Sequence, residues 1–187
     1  MKYLIAGLGN IGAEYAKTRH NIGFRMLDRL AAVENIAFED KRYGFVAEYK
    51  HKGRTFVLLK PSTYMNLSGR AVNYWLQKEK IEHDKLLVLV DDIALPFGTL
   101  RLKGKGSDGG HNGLRNIIDV LGTREYARLR FGIGNEFSQG GQYEFVLGEW
   151  TEEEENALQD RLVITSDIIR SFGTIGLELT MTFFNNK

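Results

Sequence analysis

Leu86-Leu87-Val88-Leu89-Val90 is an unbroken aliphatic run that ends in Asp91-Asp92. A run without polar alternation is the pattern of a strand covered on both faces rather than one with a face in water. Such a strand needs amphipathic helices on either side of its sheet, and the chain supplies them. Phe24, Leu27, Leu30 and Ala31 recur at helical spacing, Val72, Trp75 and Leu76 share one face of a segment from Ser68 to Lys80, and Leu114, Ile117, Ile118 and Leu121 form a third face closed by Gly122. Thr151 followed by Glu154 is a capping-box start for a helix to about Ser171, and Thr174 to Phe184 reads as helical too. Further strands are expected at Lys2 to Ala6, at Phe45-Ala47-Tyr49 and Phe56 to Leu59 joined by a Lys52-Gly53 turn, and where Arg128 and Arg130 alternate with Leu129 and Phe131. Strands interleaved with helices predict an α/β fold, and the hairpin makes its central sheet mixed. The expectation is one three-layer αβα domain over residues 1–187 with a mixed, twisted sheet.

Composition bounds the chemistry. With 187 residues, 43% hydrophobic and 26% charged, the chain has the make-up of one globular domain. It has no cysteine, which removes thiol nucleophiles, disulfides and Cys-type zinc sites and accords with a reducing cytoplasm. The N-terminal Met1 to Ala6 runs straight into a glycine turn, too short for a signal peptide, and no apolar run reaches membrane-span length. A soluble, unexported protein is therefore expected. The net charge is +1, but seven Arg/Lys between Gly98 and Arg130 face only Asp108, Asp119 and Glu125, whereas Glu149 to Asp160 is acidic. The molecule is expected to have a basic face.

Asparagines and histidines set in glycine-rich turns carry the candidate chemistry: Asn10 in Gly7-Leu8-Gly9-Asn10, His20-Asn21 in Thr18 to Gly23, Asn66 after Tyr64-Met65, and His111-Asn112 between Gly110 and Gly113. Gly7 to Gly12 also matches G-x-G-x-x-G after a strand. A dinucleotide site would need an acidic residue at the end of a second strand, and the candidate, Asp28, falls within a helix instead. His51 and His83 lie in polar turns as bystanders. His20 precedes a helix whose terminal dipole favours a neutral imidazole, either as a general base or as a residue that caps and packs the helix entry. Asp91 or Asp92 could hold its tautomer, though adjacent strand residues point to opposite faces, so only one can. No nucleophile elbow, His-Glu-x-x-His or other close histidine pair is present. Water activated by histidine remains, with Asn10, Asn66 and Asn112 as grips for carbonyls or an oxyanion, or as ordinary turn formers. Gly98 to Gly106 alternates basic with apolar or small residues and suits either phosphate contacts or a lysine-protected edge strand, and Arg128 and Arg130 favour an anion-binding surface.

Together these segments resemble the bacterial-type peptidyl-tRNA hydrolases. Gly7 to Asn10 with Tyr15 and Thr18 to Phe24 is similar to the family's first signature, and Lys60-Pro61-Ser62-Thr63-Tyr64-Met65-Asn66-Leu67-Ser68-Gly69 to its second. Asp91-Asp92 through Leu95-Pro96 and Gly98, then Gly109 to Leu114, resemble the third and fourth, in an order that spans nearly the whole chain. The resemblance implies a phosphorylase/hydrolase-like fold. It implies hydrolysis of the ester joining a peptide, or an N-blocked amino acid, to the 3′ end of tRNA, which recycles tRNA from stalled ribosomes. On that reading His20 is the base, Asp91 orients it, Asn10 distinguishes a blocked nitrogen from a free amine, and Asn66 and Asn112 hold carbonyls. Tyr15, Tyr64 and Met65 would line the groove, Arg101, Lys103, Lys105 and Arg130 would meet tRNA phosphates, and His111 would support the neighbouring amide.

The sequence departs from the family pattern at Ile11, where proline is usual, at Ala94, where an acidic residue is common, and at Asn135 to Gln142, which lacks the usual Arg-Pro or His-Pro. These touch loop shape and the tRNA surface. The expectation is a cytoplasmic, monomeric enzyme with no metal, cofactor, membrane or obligate protein partner, acting on the acceptor stem and 3′ end. A non-catalytic RNA-binding module is the alternative from another class, and a dinucleotide-binding enzyme the third.

Overall fold

The computed structural model describes residues 1–185 and 187. The aliphatic run becomes β5 (Leu86–Asp92), between two other parallel strands, β1 (Lys2–Gly7) and β7 (Ala127–Gly132). On its other side β1 pairs in parallel with β4 (Arg54–Pro61), which forms an antiparallel hairpin with β3 (Gly44–His51) across the expected Lys52-Gly53 turn. Short β2 (Glu39–Lys41) and β6 (Leu100–Lys103) close the two edges antiparallel, giving seven strands in the order β2-β3-β4-β1-β5-β7-β6. The sheet is mixed, as the hairpin required.

Alternation along the inner strands sorts the core into two layers. Tyr3 and Ile5 of β1 and Leu87 and Leu89 of β5 pack with α1 (Ile22–Val33) and α5 (Glu152–Phe184). Leu4, Ala6, Leu86, Val88 and Val90 point to the other side, against α2 (Ser68–Lys78) and α3 (Asn112–Leu121). Neither face of β5 can therefore meet water, which explains its unbroken apolar run. Thr151 and Glu154 form the expected reciprocal capping box, and the two C-terminal helical segments join in α5 across a kink at Gly176, where φ is 87°. Short α4 (Gln142–Val146) is not among the helices expected from the sequence. Among the described residues no helix is long and apolar enough to cross a membrane.

Parallel strands β1, β4 and β5 all end at one edge of the sheet, and that edge carries the asparagine and histidine loops. The Gly7-to-Gly12 loop is shaped by close packing. A Cβ on Gly7 would overlap the carbonyl of Gly23, and one on Gly23 would overlap the backbone of Leu8 and the Leu89 carbonyl. These two glycines let α1 sit directly on the ends of β1 and β5. Asp28, the stand-in for a dinucleotide's acidic partner, lies on α1 and pairs with Lys60 at 2.6 Å, so the fingerprint lacks its second strand.

Candidate active site

His20 sits in a 3-10 turn, Arg19–Asn21, that leads into α1. The turn brings its imidazole to the end of β5, where Nδ1 lies 3.0 Å from both carboxylate oxygens of Asp91. Asp92 points the other way, as strand alternation requires, and pairs with Arg130. The Asp91 carboxylate is shared: His111 Nε2 lies 2.9 Å from Oδ1, and the two imidazole centres are 5.0 Å apart. His111, expected to support the neighbouring amide, instead makes its side-chain hydrogen bonds to Asp91 and to the backbone of Gly113 and Leu114. Sequence spacing alone conceals the pairing of the two histidines, because only the packing of α3 beside β5 brings them together.

Backbone geometry settles the proton on His111. It is the N-cap of α3, and its Nδ1 accepts from the backbone N–H groups of Gly113 at 3.1 Å and Leu114 at 3.3 Å. An Nδ1 that accepts leaves the ring proton on Nε2, which donates to Asp91. The carboxylate, itself unable to donate when ionised, then accepts from His20 Nδ1–H on its other side. The Nε2 lone pair of His20 is left for the cleft. His20, Asp91 and His111 bring potential ligand atoms within 4.8 Å of one another, close enough for a metal ion. The donor set does not suit one, because the helix N–H groups hold the proton on the His111 nitrogen that faces Asp91.

The electrostatics follow from this arrangement. Burial lowers the His20 pKa, but the charge of Asp91 and its hydrogen bond outweigh burial, and the net effect raises it above the ordinary imidazole value. The neutral bias expected from the helix terminus is therefore overcome by the carboxylate. Burial likewise raises Asp91, yet the two histidines hold it well below the usual carboxylate range.

Asn10 is fixed by its neighbours. Its backbone N–H donates to Asn21 Oδ1 at 2.9 Å and its carbonyl accepts from Asn21 Nδ2 at 2.8 Å, so the buried Asn21 clamps the loop from both sides. Asn10 Oδ1 accepts from the Met65 N–H at 2.8 Å, which turns Nδ2 outward as a donor. Met65 corrects an expectation: it is 4% exposed, and its side chain packs with Leu8 and Leu114 in the core. The second loop meets Asn10 here through the Met65 backbone N–H rather than the Met65 side chain. Asn66 and Tyr64 in the same loop are exposed, Tyr15 is half-buried, and Asn112 is exposed at the start of α3.

A cleft of about 190 Å³ runs from His20, Asp91 and Asn112 to Lys103, Lys105 and Arg130. Arg101 is outside its lining; it shares a β6 face with Lys103 and stands in register with Arg130. Arg128 departs from the expected anion surface. It is 1% exposed and donates to the carbonyls of Gly106, Ser107, Arg124 and Tyr126, because the adjacent glycine-rich loop folds over it. Its role is to hold that loop.

Comparison with known proteins places the chain in a family. The family model described as Peptidyl-tRNA hydrolase matches residues 4–187. The Peptidyl-tRNA hydrolase of Phocaeicola vulgatus is 60% identical over 187 residues, covering 100% of both chains. That of Bacteroides fragilis is 59% identical with the same coverage. The crystal structure of peptidyl-tRNA hydrolase from Acinetobacter baumannii has a TM-score of 0.92 at 32% identity, covering 98% of this chain and 94% of that one.

Proposed function

The chain belongs to the peptidyl-tRNA hydrolase family and hydrolyses peptidyl-tRNA, and from the shared carboxylate we propose how its residues divide the work. His20 is the general base. With Nδ1–H held by Asp91, its Nε2 takes a proton from water as the water oxygen attacks the ester carbonyl carbon. The imidazolium formed is stabilised by Asp91, and it returns the proton to the departing ribose oxygen when the tetrahedral intermediate collapses. One water is consumed, the acyl–oxygen bond breaks, and a peptide acid and free tRNA leave. His111 fixes the carboxylate and the start of α3 and does not exchange protons with the substrate.

Asn10 is the reader of the substrate's nitrogen. Its Oδ1 is committed to Met65, so a substrate that reaches it meets only its N–H donors. An acylated nitrogen brings a carbonyl that accepts from them, whereas the ammonium of a free aminoacyl end brings more donors and finds no acceptor. Asn66 and Asn112 grip peptide and ester carbonyls, and exposed Tyr64 with Tyr15 borders the path of the 3′ end and the peptide. Lys103, Lys105, Arg101 and Arg130 meet phosphates of the acceptor stem; Arg130 does so from its pair with Asp92. We read the chain as one domain over 1–187 that acts as a monomer without an obligate partner, and the tRNA substrate supports a cytoplasmic site of action.

The observation that carries this reading is the His111 N-cap, because it fixes the direction of every proton around Asp91. The test compares N-acetyl-aminoacyl-tRNA with free aminoacyl-tRNA, in chelator, for wild type and His20→Ala. Wild type is expected to cleave the blocked substrate selectively and His20→Ala to lose that activity. Full activity in the variant would remove His20 as base, and loss of wild-type activity in chelator would bring a metal into the reaction.

A further inference from the structure

Arg19 precedes His20 in the same turn, yet it is absent from the cleft lining and is 8% exposed. Its guanidinium lies 4.2 Å from the centre of the Phe145 ring and 5.7 Å from that of Trp150. One terminal nitrogen donates to the Phe145 carbonyl at 3.0 Å and the other to Glu154 Oε1 at 3.1 Å. That same carboxylate oxygen accepts the Thr151 N–H in the capping box that opens α5. The main chain repeats the connection: Arg19 N–H donates to the Gly148 carbonyl at 3.0 Å, and Thr18 forms an isolated antiparallel bridge with Glu149. Gln142 and Val146 of α4 meanwhile line the cleft together with His20.

We infer that Arg19 is a positioning residue for the hydrolysis, tying the turn that carries His20 to α4 and to the first turn of α5 so that the imidazole stays seated on Asp91. The inference rests on His20 being the base. Only an arginine meets these demands together: its planar fork serves two acceptors in different directions while its face stacks on an aromatic ring, and a lysine ammonium can do one of these at a time. Displacement of a catalytic group by roughly 1 Å costs on the order of 100-fold in rate, so a residue that never touches substrate can still govern turnover.

The test uses Arg19→Lys, Arg19→Met and Glu154→Gln in the full chain, with kcat and KM for N-acetyl-aminoacyl-tRNA followed across pH and the His20 ring titrated by NMR. Arg19→Lys and Arg19→Met are expected to lower kcat by about 10- to 100-fold with KM changed less than about twofold. The acid limb and the NMR titration should both move to lower pH, because an imidazole loosened from Asp91 loses the contact that raises it. Asp91 on β5 and His111 on α3 are the titratable groups against His20; Asp92, Lys103, Lys105, Asp108, Arg128 and Arg130 line the same cleft, and none is altered. Glu154→Gln keeps a side-chain acceptor for the Thr151 N–H of the capping box while removing the charge beside Arg19, and should shift both readouts in the same direction by a smaller amount. Unchanged kcat and titration in the folded variants would overturn the inference, as would a fall in kcat with the titration unmoved, which is the mark of a merely structural loss. His20→Ala separates the two levels: retained activity there removes the base and the inference with it, whereas lost activity alongside unaltered Arg19 variants removes the inference alone.

Discussion

The two ends of the cleft are built by opposite means. At one end His20, Asp91 and His111 are nearly enclosed, with side-chain exposures of 14%, 4% and 8%, and their facing atoms are tied to one another or to the backbone of α3. At the other end Lys103 and Lys105 are exposed beside a loop in which Gly106, Gly109 and Gly110 all take positive φ and have open space around them. Proton transfer needs a donor and an acceptor at fixed distance and angle, so the enclosed end spends burial and hydrogen bonds on geometry. Phosphate binding needs charge near a flexible polyanion, and for the proposed tRNA contact an adaptable ledge would serve without a unique arrangement. Arg130 stands between the two, basic like the ledge but held by Asp92 like the enclosed end.

The largest expected effect breaks the enclosed end outright. His20→Ala should reduce single-turnover hydrolysis by about 100- to 10,000-fold while tRNA binding, read by filter retention, stays near wild type. A parallel loss of binding would mean that the two ends are not separable. Asp91→Asn comes next, and its reasoning is directional. Both imidazoles donate to Asp91, whereas an asparagine can accept on one side only and turns a donor to the other, so one contact must break or one tautomer must flip. A loss of about 100-fold or more in kcat is expected.

The pH profile carries a second sign. A general base at His20 works only when neutral, so on the proposed mechanism wild-type activity should rise through a value above the ordinary ~6.5 of imidazole, and in Asp91→Asn that limb should fall back. Stability moves separately. Asp91 is depressed in the folded state, so it stabilises the protein above its ordinary carboxylate range, and that contribution is lost as pH falls toward the folded value. Acid denaturation of wild type should include this loss and that of Asp91→Asn should not. An acid limb unmoved by the substitution would separate His20 from Asp91.

Lys103→Met with Lys105→Met probes the ledge. Affinity for tRNA should weaken and its logarithmic salt dependence flatten by about one unit per lysine, while a minimal ester substrate is cleaved at the wild-type rate. Equal losses on both substrates would show that the ledge supports the enclosed end structurally, and the contrast between them would fail.

Legibility in the sequence followed the same division. β5 was readable because burial on both faces leaves no room for polar alternation, and the places of Asn10, His20 and Asp91 because each stands out locally, Asn10 in the loop after β1, His20 in the turn before α1 and Asp91 in the polar end of the β5 run. The partnership of His111 with Asp91 was not, since it depends on where α3 docks. A signal existed: His111 stands immediately before the helical run from Asn112, at the N-cap position where an acceptor is wanted. Arg128 misled because alternation places it on the face of Arg130 but cannot reveal that the glycine loop's carbonyls close over it. Met65 misled in a similar way, its loop using the backbone for the site and the side chain for the core. Arg19 reads as one more basic residue until Phe145, Trp150 and Glu154, more than a hundred positions away in sequence, are seen around it.

The smallest expected effect sharpens the comparison most finely, because it asks whether the ledge has any geometric specification at all. β6 is an edge strand, and its outer side meets one side chain that pairs as a neighbouring strand would: Asn185 Oδ1 accepts the Leu102 N–H at 2.7 Å and Asn185 Nδ2 donates to the Leu102 carbonyl at 3.0 Å. This fastens the end of α5 to the strand that carries Arg101 and Lys103. Asn185→Ala removes both bonds and should cost about 0.5–1.5 kcal/mol each at most, read as a lower urea midpoint with an unchanged slope. The charges of the ledge remain, so an adaptable phosphate surface should keep its affinity for tRNA and its salt dependence. If instead tRNA binding weakens while hydrolysis of a minimal ester is intact, the lysines need their strand in one place, and the ledge is built by the same means as the enclosed end.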